Sequence, residues 1–247
     1  MHDFFQIYNT LLRDIPREAA VTSALSGTYW TAVESGCAMG LAMTVPENTA
    51  PRMLSGSPEG TSLRTLAEAS KSWNLAEAGF GVAAINAYYN TPERLEELKV
   101  QEPFDNFCTR GLDLSGKQLG LVGHLTMPES VLRQAAGVRI LERVPQPGDY
   151  PDSACDWLLP QCDVVIITAS TLVNKTLPHL LELCRDAYTI LVGPSCPMCP
   201  ALLELGIQRL SGLVITRREA MKSRIREDLA VSPYPLGIPF LLTEECL

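Results

Sequence analysis

Asp163-Val164-Val165-Ile166-Ile167-Thr168 is the stretch that decides the fold. Its four central residues are all β-branched, with no polar alternation. A strand with one wet face alternates, so this one is expected to be buried on both faces, as in the middle of a helix-covered parallel sheet. The same unit recurs on either side. Upstream, Gln118 to Gly123 is a short apolar run ending in glycine, Pro128 to Ala136 reads as a helix, Val138 to Glu142 as a strand and Asp152 to Leu159 as a short helix. Downstream come a helix at Leu177 to Cys184, a strand at Tyr188 to Gly193 and a helix at Pro197 to Leu205, with Gly206 as its stop. A strand at Leu213 to Thr216 and a helix at Arg218 to Leu229 complete the series. Five strand-helix units predict a Rossmann-like parallel sheet with right-handed crossovers. The tail from Ser232 to Pro239 holds three prolines and is expected to lie extended over the surface.

The first hundred residues follow another pattern. Phe4, Phe5, Ile7, Tyr8, Leu11 and Leu12 fit one helix face. Ala19 to Leu25 and Tyr29 to Val33 read as strands turning at Gly27, with a third strand at Leu41 to Val45. A Pro-, Gly- and Ser-rich loop runs from Pro46 to Gly60. Thr61 or Ser62 then caps a helix through Ala69, and another runs from about Leu75 to Tyr89 before Pro92. Strands first and helices after predict an α+β unit. The fold class is therefore α/β: a smaller α+β domain at 1–100 and a Rossmann-like domain at 104–247, with a linker within 93–113.

Composition narrows the function classes. The 247 residues are 46% hydrophobic and 19% charged, enough for a substantial core. A formal net charge of −8 argues against nucleic acid as a partner. The basic cluster at Arg217, Arg218, Lys222, Arg224 and Arg226 is interleaved with acids and reads as a solvated helix face. No run of about 18 apolar residues exists, so no membrane span is expected. The N-terminus has no basic leader, so the chain is read as cytoplasmic. Its eight cysteines are accordingly expected as thiols. A homo-oligomer is left open, with no interface legible.

Ligands of open parallel sheets bind at strand carboxyl ends, where strand order reverses. An order of 3-2-1-4-5 would put that crevice between the first and fourth strands. Gly123-His124 would then face Gly193-Pro194-Ser195-Cys196. The hydroxyl-rich loop of Thr168, Ser170 and Thr171, with Asn174 beyond, would lie on the same edge and suit a polar ligand. Gly120-Leu121-Val122-Gly123-His124-Leu125 lacks the third glycine of the dinucleotide fingerprint, so no NAD is predicted, although Glu142 stands where a ribose-binding acid would. Asn86 sits inside an apolar helix and must find partners, from the protein or from a ligand at the domain interface.

Cys196 and Cys199 form a CxxC motif. Three readings stand. The thiolates bind zinc or another soft transition metal with His124 as a third ligand, Cys196 is a redox nucleophile, or both pack in a proline-framed turn. Cys184 reads as a core residue, Cys155 and Cys162 as partly buried, and Cys37, between two glycines, as a small buried residue with an extra thiol as the alternative. His179 and terminal His2 have no triad spacing, so no hydrolase is indicated.

Several pieces together resemble a known family: Gly81-Val82-Ala83-Ala84-Ile85-Asn86-Ala87, Leu119-Gly120-Leu121-Val122-Gly123, Asp163 through Leu177, and Val192-Gly193-Pro194-Ser195 with Gly206 and Gly212. In order, they resemble the DUF364 heavy-metal-chelation family preceded by a DUF4213 domain. The resemblance implies an enolase-N-terminal-like first domain, a Rossmann-like second domain and a ligand cleft between them. It places Asn86, Gly123, Thr168, Ser170, Asn174 and Ser195 in that cleft. Cys196 and Cys199 depart from the family's usual pattern. The expected function is metal or metallophore handling. The alternatives are an enzyme of small-molecule or cofactor metabolism using the same cleft without metal, and a CxxC redox protein.

Overall fold

A computed structural model describes residues 4–46, 50–98, 100, 109 and 111–246. His2, residues 47–49 of the expected loop and, within the expected linker, residues 99, 101–108 and 110 lie outside the described residues.

The first unit begins with α1 (Gln6–Leu12), whose Ile7, Tyr8, Leu11 and Leu12 form one buried stripe. Strands β1 (Ser23–Ser26), β2 (Trp30–Ser35) and β3 (Ala38–Met43) make an antiparallel meander. The third strand starts three residues earlier than expected, because Gly36 at φ 57° turns the chain tightly into β3. Helices α2 (Leu63–Glu68) and α3 (Leu75–Tyr89) follow. The Asn74 side chain caps α3 by accepting the Glu77 N–H. Small residues let α3 approach its neighbours at backbone distance. A Cβ on Gly40 of β3 would come within 2.1 Å of Ala83 O and Ala87 N, and one on Gly81 within 2.0 Å of Ser70 N. Thr91 then caps α4 (Pro92–Glu97), a helix that reaches into the stretch expected to be linker.

The second unit comprises β4 (Gln118–Val122), α5 (Glu129–Leu132), β5 (Gly137–Glu142), β6 (Tyr150–Pro151), α6 (Cys155–Leu158) and β7 (Val164–Thr168). It continues through α7 (Leu177–Leu183), β8 (Tyr188–Val192), β9 (Arg209–Ile215), α8 (Arg218–Arg226) and β10 (Gly237–Thr243). The seven-stranded sheet has the order β10-β9-β8-β7-β4-β5-β6, parallel except for β10. Val164 to Ile167 are buried between β4 and β8, as the β-branched run predicts.

Four expectations are corrected. The five expected strands lie in the order 2-1-3-4-5, not 3-2-1-4-5, so β7 rather than β8 is the inner neighbour of β4. The tail does not merely lie extended. Gly237–Thr243 pairs with β9 as an antiparallel edge strand, where Pro239 is tolerated because an edge has one unpaired side. Residues 197–205 do not form an α-helix: only Pro200–Leu205 turns, as a 3-10 helix ending at left-handed Gly206. The helix expected at 128–136 shrinks to Glu129–Leu132.

The two units share one hydrophobic core, which runs from Tyr8, Leu11 and Ile85 to Val165, Leu172 and Leu202. Polar stitches reinforce it. Tyr8 Oη donates to Leu172 O at 2.8 Å. Asn90 Nδ2 donates to Cys196 O at 2.9 Å, and Asn90 Oδ1 accepts the Met198 N–H at 2.9 Å.

Candidate functional site: a cleft at the strand-order reversal

In this strand order the chain leaves β4 toward β5 on one side and returns to β7 on the other. The reversal, and the crevice that accompanies it, therefore lies between β4 and β7. A cleft of about 310 Å³ opens at their carboxyl ends. Gly123, His124 and Leu125 line it after β4, and Thr168, Ser170, Thr171 and Asn174 after β7. Leu141, Glu142, Arg143 and Asp152 contribute from β5 and beyond, and Met43 to Pro46 cross over from the end of β3. The cleft thus lies between the two units.

Each wall has a local cause. Gly123 sits at φ 100°, and its N–H donates to Leu141 O. A Cβ there would be strained by that φ and would meet Thr168 Cγ2 at 3.0 Å. The Thr168 and Ser170 hydroxyls are 3.1 Å apart, and Thr171 Oγ1 donates to Thr168 O at 2.6 Å. Asn174 Oδ1 accepts from Thr176 N and Oγ1, at 3.1 and 2.7 Å, which leaves its Nδ2 donor unused among the described residues. His124 is held at two points. Its N–H donates to Glu142 Oε2 at 2.8 Å, and its Nδ1 lies 2.8 Å from Asp149 Oδ2. The Gln146 N–H and then His124 hold the Asp149 carboxyl below its ordinary range. With Nδ1 engaged, His124 presents Nε2 as an open acceptor or donor.

Six of the ten ligand residues named from sequence line this cleft: Gly123, His124, Thr168, Ser170, Thr171 and Asn174. Gly193, Pro194 and Ser195 follow β8, one strand further away. Ser195 Oγ accepts the Met43 N–H at 2.8 Å, tying that loop to the end of β3. Asn86 is buried inside α3, and its Nδ2 donates to Leu41 O at 2.7 Å.

Cys196 and Cys199 are 0% and 1% exposed. Cys196 Sγ donates to Leu191 O at 3.5 Å, and burial pushes the Cys199 thiol pKa up. Thiol exchange and metal binding both need an accessible thiolate. Among the described residues, no group of three or more His, Cys, Asp or Glu side chains is placed to hold a metal ion. Cys196, Cys199 and His124 are thus not brought together. The cleft's donors are hydroxyls, an amide, one imidazole, the Glu142 and Asp152 carboxylates and the Met43 thioether, with no thiolate among them, a mixed and mostly hard set that does not fit a bare soft ion.

Sequence reasoning missed Met43 to Pro46, because packing between units leaves no local signature. It also missed Asp149, which lies in the loop after β5 with no motif around it. Glu142 was visible at its strand end, without its role of fixing His124.

Fold and cleft together define a Rossmann-like α/β protein in which a small antiparallel-sheet unit closes the cleft at the carboxyl ends of β4 and β7. The chain belongs to the DUF364 family, whose model, described as "Putative heavy-metal chelation", matches residues 109–234. The DUF4213 model, with the same description, matches residues 8–89. A DUF364-family crystal structure of unknown function from Desulfitobacterium hafniense is 37% identical, with a TM-score of 0.88 over 98% of each chain. Another, from Pyrococcus horikoshii, is 25% identical, with a TM-score of 0.77 over 97% of this chain and 99% of that one. An uncharacterised protein of Methanocaldococcus jannaschii is 29% identical over 159 residues, which span 58% of this chain and 57% of that relative. Among the described residues no helix is long and apolar enough to cross a membrane.

Proposed function

We propose that this protein binds a small, polar, metal-chelating molecule in the cleft between β4 and β7, the ligand carrying most of the metal's donors itself. The observation that carries this reading is the mismatch between the family's description and the donor set. Hydroxyls and an amide line the cleft beside a single fixed imidazole, with no thiolate; of its two carboxylates, Glu142 is engaged by the His124 N–H, and among the described residues no three His, Cys, Asp or Glu side chains are placed to hold an ion. Thr168, Ser170, Thr171 and Asn174 would hold the ligand's polar groups. His124 Nε2 would fill one open coordination position, its ring oriented by Asp149 as a carboxylate orients a metal-bound histidine.

Calorimetric titration with Zn²⁺ alone and with Zn²⁺–citrate and Zn²⁺–nitrilotriacetate tests this. The chelates are expected to bind more tightly than the bare ion. His124→Ala is expected to weaken them about tenfold or more, whereas Cys196→Ser with Cys199→Ser leaves them unchanged. Preferential binding of bare zinc that depends on the two cysteines would overturn the proposal in favour of a thiolate site.

The same dyad supports a second reading. A histidine held by a carboxylate beside a polar cleft is also the arrangement of a general base, so an enzyme of small-molecule metabolism would use the same residues without a metal.

A further inference from the structure

A second pocket, of about 590 Å³, lies between the units where β9 gives way to α8. It is separate from the cleft, which lies beyond β8 and β7. Its floor is apolar, with Met39, Leu63, Ala87, Val214 and Ile215. Two arginines, Arg94 and Arg218, line it as well. The Arg94 guanidinium carbon lies 3.7 Å from the Tyr88 ring centroid, so the fork is held flat against an aromatic face. Among the described residues that guanidinium makes no hydrogen bond and no ion pair, and its N–H donors are uncommitted.

Arg218 reaches Glu34 Oε1 at 3.4 Å and Gly36 O at 3.5 Å, both long contacts made by Nη1 alone. Lys222 already answers Glu34 at 3.0 Å. Glu93, on the surface of α4, is the one carboxylate in the described lining. The first turn of α8, which starts at Arg218, carries Glu219, but that carboxylate is 82% exposed, pairs with Lys222 and is not part of the pocket lining. A chain of net charge −8 that keeps an arginine fork stacked and uncommitted over an apolar floor has the parts of an anion receptor.

We propose that this pocket binds a small organic oxyanion, a carboxylate or phosphate on an apolar body, with Arg94 as the principal fork and Arg218 beside it. The site is independent of the function proposed for the first cleft.

Cys37 lines the same pocket and is the one exposed thiol among the described cysteines. It therefore reports occupancy. The full chain is alkylated with N-ethylmaleimide at constant ionic strength, and the Cys37 peptide is followed by mass spectrometry. Phenyl phosphate, benzoate and inorganic phosphate are the probes. Saturable slowing of Cys37 alkylation by phenyl phosphate or benzoate is expected, and whichever protects at lower concentration identifies the head group. Arg94→Gln should remove the protection. Arg94→Lys keeps the charge and the contact with Tyr88, so it controls for folding; it should raise the concentration needed about tenfold through loss of the fork. No protection by either aryl probe, or equal protection in Arg94→Gln, overturns the proposal. Inorganic phosphate protecting as well as phenyl phosphate overturns the role of the apolar floor.

Discussion

Lys175 is 4% exposed, and its backbone sits at φ 70° in the left-handed region that side chains with a Cβ avoid. Its Nζ donates to Val173 O at 2.9 Å and lies 5.4 Å from the centre of the Tyr8 ring, with no ion pair among the described residues. Burial pushes its pKa down to about 8. Between pH 8 and the ordinary lysine range the unfolded chain holds a proton that the folded chain has released, so stability rises with pH across that window. At neutral pH the charged form makes burial a cost. Lys175→Met, which keeps the left-handed strain and loses the charge, is expected to unfold at higher denaturant than the wild type at pH 7, with the gap closing as pH climbs from 8 toward 10. Cys155 and Cys184, whose thiols burial pushes up to about 12, act in the opposite direction, since they stay protonated when folded. They are common to both proteins and cancel in the difference. A pH-independent gap would show that the amine is not the cause. Lys175 directly follows Asn174 of the cleft, so Lys175→Gly, which relieves the left-handed strain that Lys175→Met keeps, checks by comparison with it whether the loop's strain serves ligand binding.

Helix α3 shows how one element is specified by what it lacks. Gly81 and, on β3, Gly40 stand where backbone meets backbone: an added Cβ would lie 2.0 and 2.1 Å from its nearest neighbour. A Cβ on Gly79, two residues before Gly81 and facing β2, would find Thr31 Oγ1 at 3.5 Å, an ordinary contact. Gly40→Ala and Gly81→Ala are therefore expected to cost about 3 kcal/mol or more, because backbone cannot step aside as a side chain can. Gly79→Ala should instead gain about 0.5–1 kcal/mol of helix propensity. Urea melts of the three variants check the ranking, and a destabilised Gly79→Ala would contradict it. The sequence showed this helix as a run of small residues, and it showed β7 as a β-branched run. Periodicity and composition report whether a segment is buried, which is why such elements were legible. They do not report which neighbour buries it. The strand order was accordingly missed: β8 and β7 carry equally apolar patterns, and only the paired registers put β7 beside β4. The cleft inherited that limit. Residues in the loops after β4 and β7 were found, whereas Ser195, one strand over, bonds to β3, and the walls supplied by Met43 to Pro46 depend on docking that no local pattern records.

At the scale of the whole molecule, the two units that differ so clearly in sequence share their largest core cluster, although one face of the second unit's sheet, with Leu119, Leu121, Ile166 and Ile190, packs within that unit alone. Tyr8 from the first helix reaches Leu172, and Ile85 shares a cluster with Val165 and Leu202. The β4–β7 cleft and the arginine pocket both lie along this junction, so whatever loosens it alters both. Asn90 is the polar centre of the junction, 1% exposed, with Nδ2 on Cys196 O and Oδ1 on the Met198 N–H. Its replacement by leucine fills similar volume but strands a buried carbonyl and a buried N–H, each without water to replace the lost partner. Asn90→Leu is expected to cost about 2–4 kcal/mol. A shared core further predicts that the units unfold together. Trp73 reports on the first unit and Trp157 on the second, whereas Trp30, whose Nε1 donates to Val231 O at 3.4 Å, belongs to the junction and is replaced in both probe variants. Variants that retain Trp73 or Trp157 should give the same midpoint in urea, both before and after Asn90→Leu, with the mutation moving the two probes by the same amount. Separate midpoints in the wild type would mean that the junction is a contact between independent domains, and the two pockets would then have to be treated as independent of each other's occupancy.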